Sequence, residues 1–290
     1  MVKRNVELSI ITPFYKGNDV ISERLEVIEN VVAQSKNLLF EWIIVNDSPE
    51  IDVKELHTSL TNLTIKKITN KSNLGIHQSR INGFNVCSGK YVLFLDQDDY
   101  VAPNFFKMQK TMLGKADFCV CNGYNEMENK EKTPIFKNAY QMQTLKNIST
   151  FFYLGNLIVS PGMVLIRKEA VPQEWLTHIL KINGADDWLL WSLLLANKKE
   201  GTYCTKKMYI HVKTKNNTSD DDENMLKSCK EALDIFQSCN SQYNKLCTIY
   251  NKRLALWWAE KIEGKNKYIE YLKVPHIALR QMIDKIKELI

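Results

Sequence analysis

No Cys-x-x-Cys pair occurs among the seven cysteines, and their number is odd. A zinc ribbon or a closed disulfide framework is therefore not indicated; free, mostly buried thiols in a reducing, cytoplasmic setting are expected. The sequence also lacks an unbroken apolar span. Its longest uncharged stretch, residues 147–166, is interrupted by Gly155-Asn156 and Ser160-Pro161-Gly162. Those breaks predict helix, turn and then strand, not a membrane crossing. Near the start, Lys3 and Arg4 precede only the short run 8–12 before Pro13, so no signal peptide is expected. Internal repeats and low-complexity tracts are missing. Zinc-finger spacing and an aromatic RNA-binding motif are missing too, which makes nucleic acid the weakest of the possible partners.

What is present is an ordinary globular composition, 44% hydrophobic and 25% charged over 290 residues. That suffices for one large domain, or for about 200 residues with an appendage. The net charge of +6 is uneven: residues 241–290 hold ten Lys/Arg against five Asp/Glu. A basic tail of this kind suits an anionic membrane surface or no particular partner.

The first 124 residues alternate. VELSIITPFY reads as a buried parallel strand, and Asp19–Gln34 as a helix capped by Asp19 with Val20, Leu25, Ile28 and Val32 inward. FEWIIVND and LTIKKITN are the next strands. NLGIHQSRINGFNVCSG is a helix closed by Gly89, KYVLFLD a fourth strand and ADFCVCNGY a fifth, on which only one of Cys119 and Cys121 should face a core at a time. This order specifies an α/β sheet with crossover helices, whose ligands bind beyond the carboxyl ends of the strands. Thr12-Pro13, Asn46-Asp47 and Asp96–Asp99 lie at those ends. Further on, 128–140 reads as a surface loop, GADDWLLWSLLLAN as a Trp-rich helix, and the chain from Asn224 as two or three amphipathic helices.

The strand ending in Asp96-Gln97-Asp98-Asp99 poses the chemical question. Carboxylates this close either sit in a solvated turn or share a hard cation such as Mg2+ or Mn2+. A second pair, Asp186-Asp187, opens the Trp-rich helix. There acidic residues stabilise the helix dipole.

SIITPFYKGND, EWIIVND, NLGIHQSRINGFNVCSGKYVLFLDQDD and ADDWLLWSLLL together resemble the family-two glycosyltransferases of the GT-A fold, over roughly residues 7–220. The resemblance implies a Rossmann-like nucleotide-sugar domain over 1–215 with a helical extension over 216–290. It implies that Thr12, Pro13 and Tyr15 wrap base and ribose, that Asp47 contacts the base, and that Asn73 and Arg80 lie near the phosphates or the donor pocket. Asn46, Ser48-Pro49 and Ile81 depart from the family's pattern, and Gly83 reads as a packing position. Asp96, Gln97 and Asp98 would hold donor hydroxyls, with Asp98 or Asp99 on a Mn2+ or Mg2+ ion and His211 as a further metal ligand. His211 has two rival readings: a structural histidine, or part of a lid carrying Lys213 and Lys215. The other histidines, at 57, 77, 178 and 276, have no partner spacing.

By the same resemblance Asp187 is the base of an inverting reaction, and Asp186, where a Glu is usual, orients or caps. The partners implied are a UDP-sugar donor and a saccharide acceptor, lipid-linked in many bacterial members, in capsule or cell-surface polysaccharide synthesis. A nucleotidyltransferase and a non-catalytic sugar-nucleotide-binding or scaffold subunit are the alternatives. Trp257-Trp258 and the stripe Leu272, Leu279, Ile283, Ile286 and Ile290 leave three uses for the C-terminal helices: packing, homo-oligomerisation, or peripheral contact at the inner face of a membrane.

Overall fold

Val6–Phe14 forms β1, whose inner residues are buried on both faces, as a near-continuous apolar run requires in a parallel sheet. The computed structural model describes residues 5–213 and 221–289. β1 pairs in parallel with β2 (Leu39–Asn46) and β4 (Tyr91–Phe94), and β2 pairs in parallel with β3 (Leu63–Thr69). The helices α1 (Ile21–Ala33) and α2 (Ile76–Val86) make the crossovers. A short β5 (Tyr100–Val101) and α3 (Phe105–Leu113) follow, then β6 (Phe118–Glu126), β7 (Lys132–Pro134), β8 (Val164–Arg167) and β9 (Gly201–Val212). The sheet runs β3-β2-β1-β4-β8-β6-β9-β5, with β7 on β6. It is mixed: β8 is antiparallel to β4 and β6, whereas β9 is parallel to β6.

Among the described residues, this sheet and its helices make one compact unit, 5–135, 159–171 and 200–213; 136–158, 172–199 and 221–289 make a second. The partition cuts the chain differently from a boundary at 215, because the Trp-rich helix α7 (Asp186–Ala196) belongs with the C-terminal helices. The second unit also holds α4 (Ala139–Thr144), α5 (Ile148–Tyr153), α6 (Gln173–Thr177), α8 (Asp222–Cys239), α9 (Asn244–Lys261), α10 (Lys267–Leu272) and α11 (Pro275–Leu289). Its core is aromatic. Trp188 stacks on Tyr250 at 4.3 Å between centroids, and Phe152 meets Trp188, Phe236 and Tyr250 edge-on. Each such pair contributes about 0.5–1.5 kcal/mol beyond area burial. α7 is buried almost all round, Leu195 excepted, and so has no polar face.

Helix, turn and strand over 147–166 are as expected: α5, a 3-10 turn at Pro161–Met163, then β8. Other expectations need correction. α1 starts at Ile21 without a side-chain cap; the Gly17 carbonyl accepts the Val20 and Ile21 N–H groups, so Asp19 is not the cap. Gly89 lies beyond the end of α2, and a Cβ there would meet the Ser9 nitrogen at 2.5 Å, so its task is close packing. Gly83 does the same against Ile11 and Val45. Cys119 and Cys121 are both fully buried: two residues apart on β6, they point to the same face, so the expectation that only one faces a core at a time fails. All seven thiols are free and six are buried. Where two or three helices were expected from Asn224 onward, the described residues from 222 hold four α-helices. Among the described residues no helix is long and apolar enough to cross a membrane.

Candidate donor and base sites

The question posed by Asp96–Asp99 resolves residue by residue. Arg80 on α2, itself buried, forms a 2.6 Å ion pair with Asp96 Oδ1, and the Ser160 hydroxyl donates to Asp96 Oδ2 at 3.2 Å. Gln97 straps the end of β1: its Oε1 accepts the Tyr15 N–H and its Nε2 donates to the Tyr15 carbonyl, at 3.0 and 3.1 Å. Asp99 is fully buried. Its carboxylate accepts from the Tyr209 hydroxyl, from the Val212 N–H at 3.0 Å, and from His211 Nδ1 at 3.1 Å.

This last grouping follows from strand register. β5 and β9 are antiparallel with Tyr100 opposite Ile210, which sets residue 99 opposite residue 211. On the other side of the loop Arg24, buried in α1, donates to the Asp99 carbonyl and stacks 3.5 Å above the Tyr100 ring.

Asp98 is different. Its carboxylate has no partner beyond its own backbone among the described residues. Burial, and then the Asp99 and Asp96 charges, push it up to about 7, with His211 only partly opposing. Burial would lower His211, but the hydrogen bond and charge of Asp99, with Asp96 and Asp98, outweigh it and raise the imidazole above its usual value. Because Nδ1 is engaged by Asp99, Nε2 is the nitrogen left to face a ligand. Among the described residues no three His, Cys, Asp or Glu side chains form a ready set of metal ligands. Asp98 and His211 make two, which suits a cation completed by substrate phosphate oxygens.

The other expected donor residues surround the ends of β1 and β2. The Thr12 hydroxyl accepts from Trp42 Nε1 at 2.9 Å and is buried; Pro13 is half-buried and Tyr15 exposed. Asp47 brackets the following loop. It accepts from Asn70 Nδ2 and the Leu74 N–H at 2.7 Å and from the Gly75 N–H at 2.9 Å. Asn73 is exposed and accepts from the Gly75 N–H at 3.1 Å. Gly75 has φ 86°, a conformation that favours glycine.

In the second unit, Asp187 on the first turn of α7 is buried. Its Oδ2 accepts from Asn156 Nδ2 at 2.7 Å and its Oδ1 from the Trp188 N–H at 2.7 Å. The neighbouring Asp186 is also buried, and its carbonyl accepts from Trp175 Nε1. Lys213 is described and exposed, whereas Lys215 lies outside the described residues.

Sequence reasoning missed Ser160, Tyr209, Arg24 and Asn156. Ser160 had a visible signal, Ser-Pro-Gly after an apolar run, but it was legible only as a turn. Asn156 stood likewise in the visible Gly-Asn break of the same stretch, legible only as a turn; Tyr209 and Arg24 carry no local pattern.

Residues 9–175, more than half of the chain, match the family described as Glycosyl transferase family 2. YibD of Escherichia coli K12, an uncharacterized glycosyltransferase, is 31% identical over 125 residues, 42% of this chain and 35% of YibD. Glycosyltransferase GlyA of Streptococcus pneumoniae serotype 4 is 26% identical over 151 residues, 50% of this chain and 21% of GlyA. The chain thus spans about a third or less of these relatives' length. Among solved structures, S. aureus TarS 1-349 in complex with UDP-GlcNAc has a TM-score of 0.60 at 17% identity, covering 88% of this chain and 73% of that one. The mannosyltransferase PcManGT from Pyrobaculum calidifontis, in complex with GDP-Man and Mn2+, has a TM-score of 0.54 at 12% identity, covering 96% and 81%. These likenesses show the fold, GT-A. By sequence and fold together, the chain belongs to glycosyl transferase family 2.

Proposed function

We propose that the chain transfers a sugar, with inversion, from a UDP-linked donor to a saccharide hydroxyl, using Mn2+ or Mg2+ at Asp98 and His211. The observation that carries this is the single uncommitted carboxylate. Arg80 and Ser160 answer Asp96, and Tyr209, His211 and Val212 answer Asp99, so Asp98 alone lacks a counter-charge. When bound, the cation neutralises charge growing on the departing nucleoside diphosphate. Asp99 serves it at one remove, by engaging His211 Nδ1 and so leaving Nε2 for the cation. Tyr15 offers an exposed ring to the base. Asp47 has roughly one lone pair left for the base after its three bonds to the chain.

Asp187 is the proposed general base. Asn156 and the Trp188 N–H fix its carboxylate in one orientation, and a carboxylate so held takes the acceptor hydroxyl's proton as the oxygen attacks. At Asp186 it is the backbone carbonyl, accepting from Trp175 Nε1, that ties down the start of the helix. UDP is preferred as donor nucleotide because TarS binds UDP-GlcNAc, although PcManGT binds GDP-Man. A place in cell-surface or capsular polysaccharide synthesis is proposed from the family resemblance alone; the relatives YibD and GlyA are bacterial and are named as glycosyltransferases.

Calorimetric titration of UDP, GDP and CMP, each with Mn2+ and with EDTA, tests the reading on wild type and Asp98→Asn. UDP should bind wild type with metal and lose that affinity in the variant. If no nucleotide binds under any condition, the transferase assignment fails.

A further inference from the structure

An amphipathic helix on a globular protein ordinarily turns its apolar stripe inward. α11 does the reverse. Leu279, Met282, Ile283 and Ile286 recur at i, i+3, i+4 and i+7, the spacing of a core-facing stripe, yet they are 38–55% exposed. The opposite side of the helix packs within the second unit through Ile277, Asp284 and Gln281. Asp284 is buried, pairing with Arg280 at 2.8 Å and accepting from the Tyr140 hydroxyl at 3.3 Å, while Gln281 donates to the Tyr153 carbonyl.

α10 continues the exposed face with Tyr268 and Leu272, each 80% exposed, and Ile269. Of the sixteen exposed large hydrophobic residues among those described, nine fall between Trp258 and Ile286. At roughly 200 Å² for a residue of this size, the seven on α10 and α11 present about 800 Å². That exceeds the roughly 300–600 Å² of the largest patch on a typical monomer.

Charge says what covers it. At about 100° per residue around α11, Lys287 borders the apolar stripe on one side, next to Arg280 with its Asp284 partner, and Lys285 borders it on the other. The acids Asp284 and Glu288 lie on the far side, and Glu288 faces Lys137 at 3.7 Å. α10 repeats the arrangement: Glu270 is on the side away from Tyr268 and Leu272, largely buried and paired with Lys273. Over residues 261–290 seven Lys/Arg stand against four Asp/Glu. A second copy placed on this face by a two-fold axis would set cationic borders against each other. An anionic bilayer would satisfy both the stripe and its borders, with Tyr268 at headgroup level.

We infer that α10 and α11 form an interfacial surface that lies in the plane of an anionic membrane. Co-sedimentation of the full chain with vesicles tests it, using phosphatidylcholine alone and phosphatidylcholine with about one-third phosphatidylglycerol. The variants are Leu272→Gln/Leu279→Gln/Ile286→Gln and Lys273→Glu/Lys285→Glu; all five positions are exposed, and unchanged melting temperatures confirm folding. Wild type should sediment with the anionic vesicles, and should release as salt rises from about 50 to about 500 mM. The apolar variant should lose about tenfold or more in partitioning, and the charge variant should lose binding to the anionic vesicles specifically. Absence of wild-type binding to either vesicle overturns the inference. If a concentration-dependent dimer, abolished by the apolar variant, is seen instead by analytical ultracentrifugation, the face is a self-association surface.

Discussion

Asp98→Asn should make the metal-free protein more stable while abolishing metal-supported nucleotide binding. The Asp98 carboxyl is raised from 3.8 to about 7, first by burial and then by Asp99 and Asp96. A carboxyl raised on folding holds its proton more tightly in the native state. Its favourable contribution is complete below the unfolded value of 3.8 and is lost as pH climbs towards 7. Three pH units at 1.36 kcal/mol each bound the penalty above pH 7 at about 4 kcal/mol, against about 1.5 kcal/mol at pH 5.

Asp98 is partly exposed, so solvent screening reduces that difference to about 1 kcal/mol, or roughly 2–4 °C in melting temperature for a chain of this size. The assay is thermal unfolding in EDTA at pH 5 and pH 8. The variant's gain in melting temperature over wild type should be larger at pH 8. Adding Mn2+ and UDP should then raise the melting temperature of wild type only. An equal shift at both pH values would refute the claim that Asp98 is an under-neutralised carboxylate.

Asp187→Asn should lower kcat by about 10²–10⁴ with UDP affinity unchanged, measured by steady-state kinetics beside calorimetry. His211→Asn should weaken Mn2+ affinity about 10–100-fold and leave nucleotide binding in EDTA as it was. At Gly123 on β6 an added Cβ would meet the Tyr209 carbonyl at 2.5 Å. Gly123→Ala should therefore push β9 away, carry Tyr209 and His211 off Asp99, and raise the Mn2+ requirement severalfold. Burial would raise the carboxyl of Glu41, but the hydrogen bonds it accepts from Lys66, Ser88 and Ser9 outweigh burial and hold it below the usual glutamate value of 4.5. Its contribution is present above 4.5 and lost as pH falls through the lowered folded value. Glu41→Gln should cost about 3 kcal/mol in urea unfolding at pH 7 and less at pH 4.

The parallel half of the sheet was legible because its strands are continuous apolar runs separated by helical spacing, and β1 to β4 sit within a few residues of their expected bounds. β5 was not, since a two-residue strand carries no periodicity. Its loss mattered: only the β5–β9 register brings Asp99 to His211 and Tyr209, about 110 residues away. Composition therefore located the acidic cluster without saying which carboxylate is free. Arg24 illustrates the same limit. An arginine at a helical position reads as a solvated charge, yet it is 1% exposed because the Asp99 carbonyl and the Tyr100 ring receive it. Asp19 failed as a cap because the Gly17 carbonyl supplied the first bonds of α1, a backbone solution that leaves no mark in side-chain identity.

The arrangement of Asp96–Asp99 beyond β4 bears on the order of binding. If all three aspartates awaited a cation, the loop would carry three unbalanced charges and would tend to open without metal. Instead Arg80 neutralises Asp96 directly, a buried phenol, an imidazole and a backbone N–H hold Asp99, and Gln97 ties the loop to Tyr15. One carboxylate and one imidazole nitrogen are left. Two protein ligands bind a hydrated Mg2+ or Mn2+ weakly, since such ions keep most of their water until phosphate oxygens replace it. Cation and nucleotide diphosphate should therefore bind with strong positive coupling: Mn2+ alone weak, UDP alone weak, each tightened by the other by the same factor. Equal Mn2+ affinity with and without UDP would place the ion's ligands elsewhere and remove Asp98 from the role assigned to it.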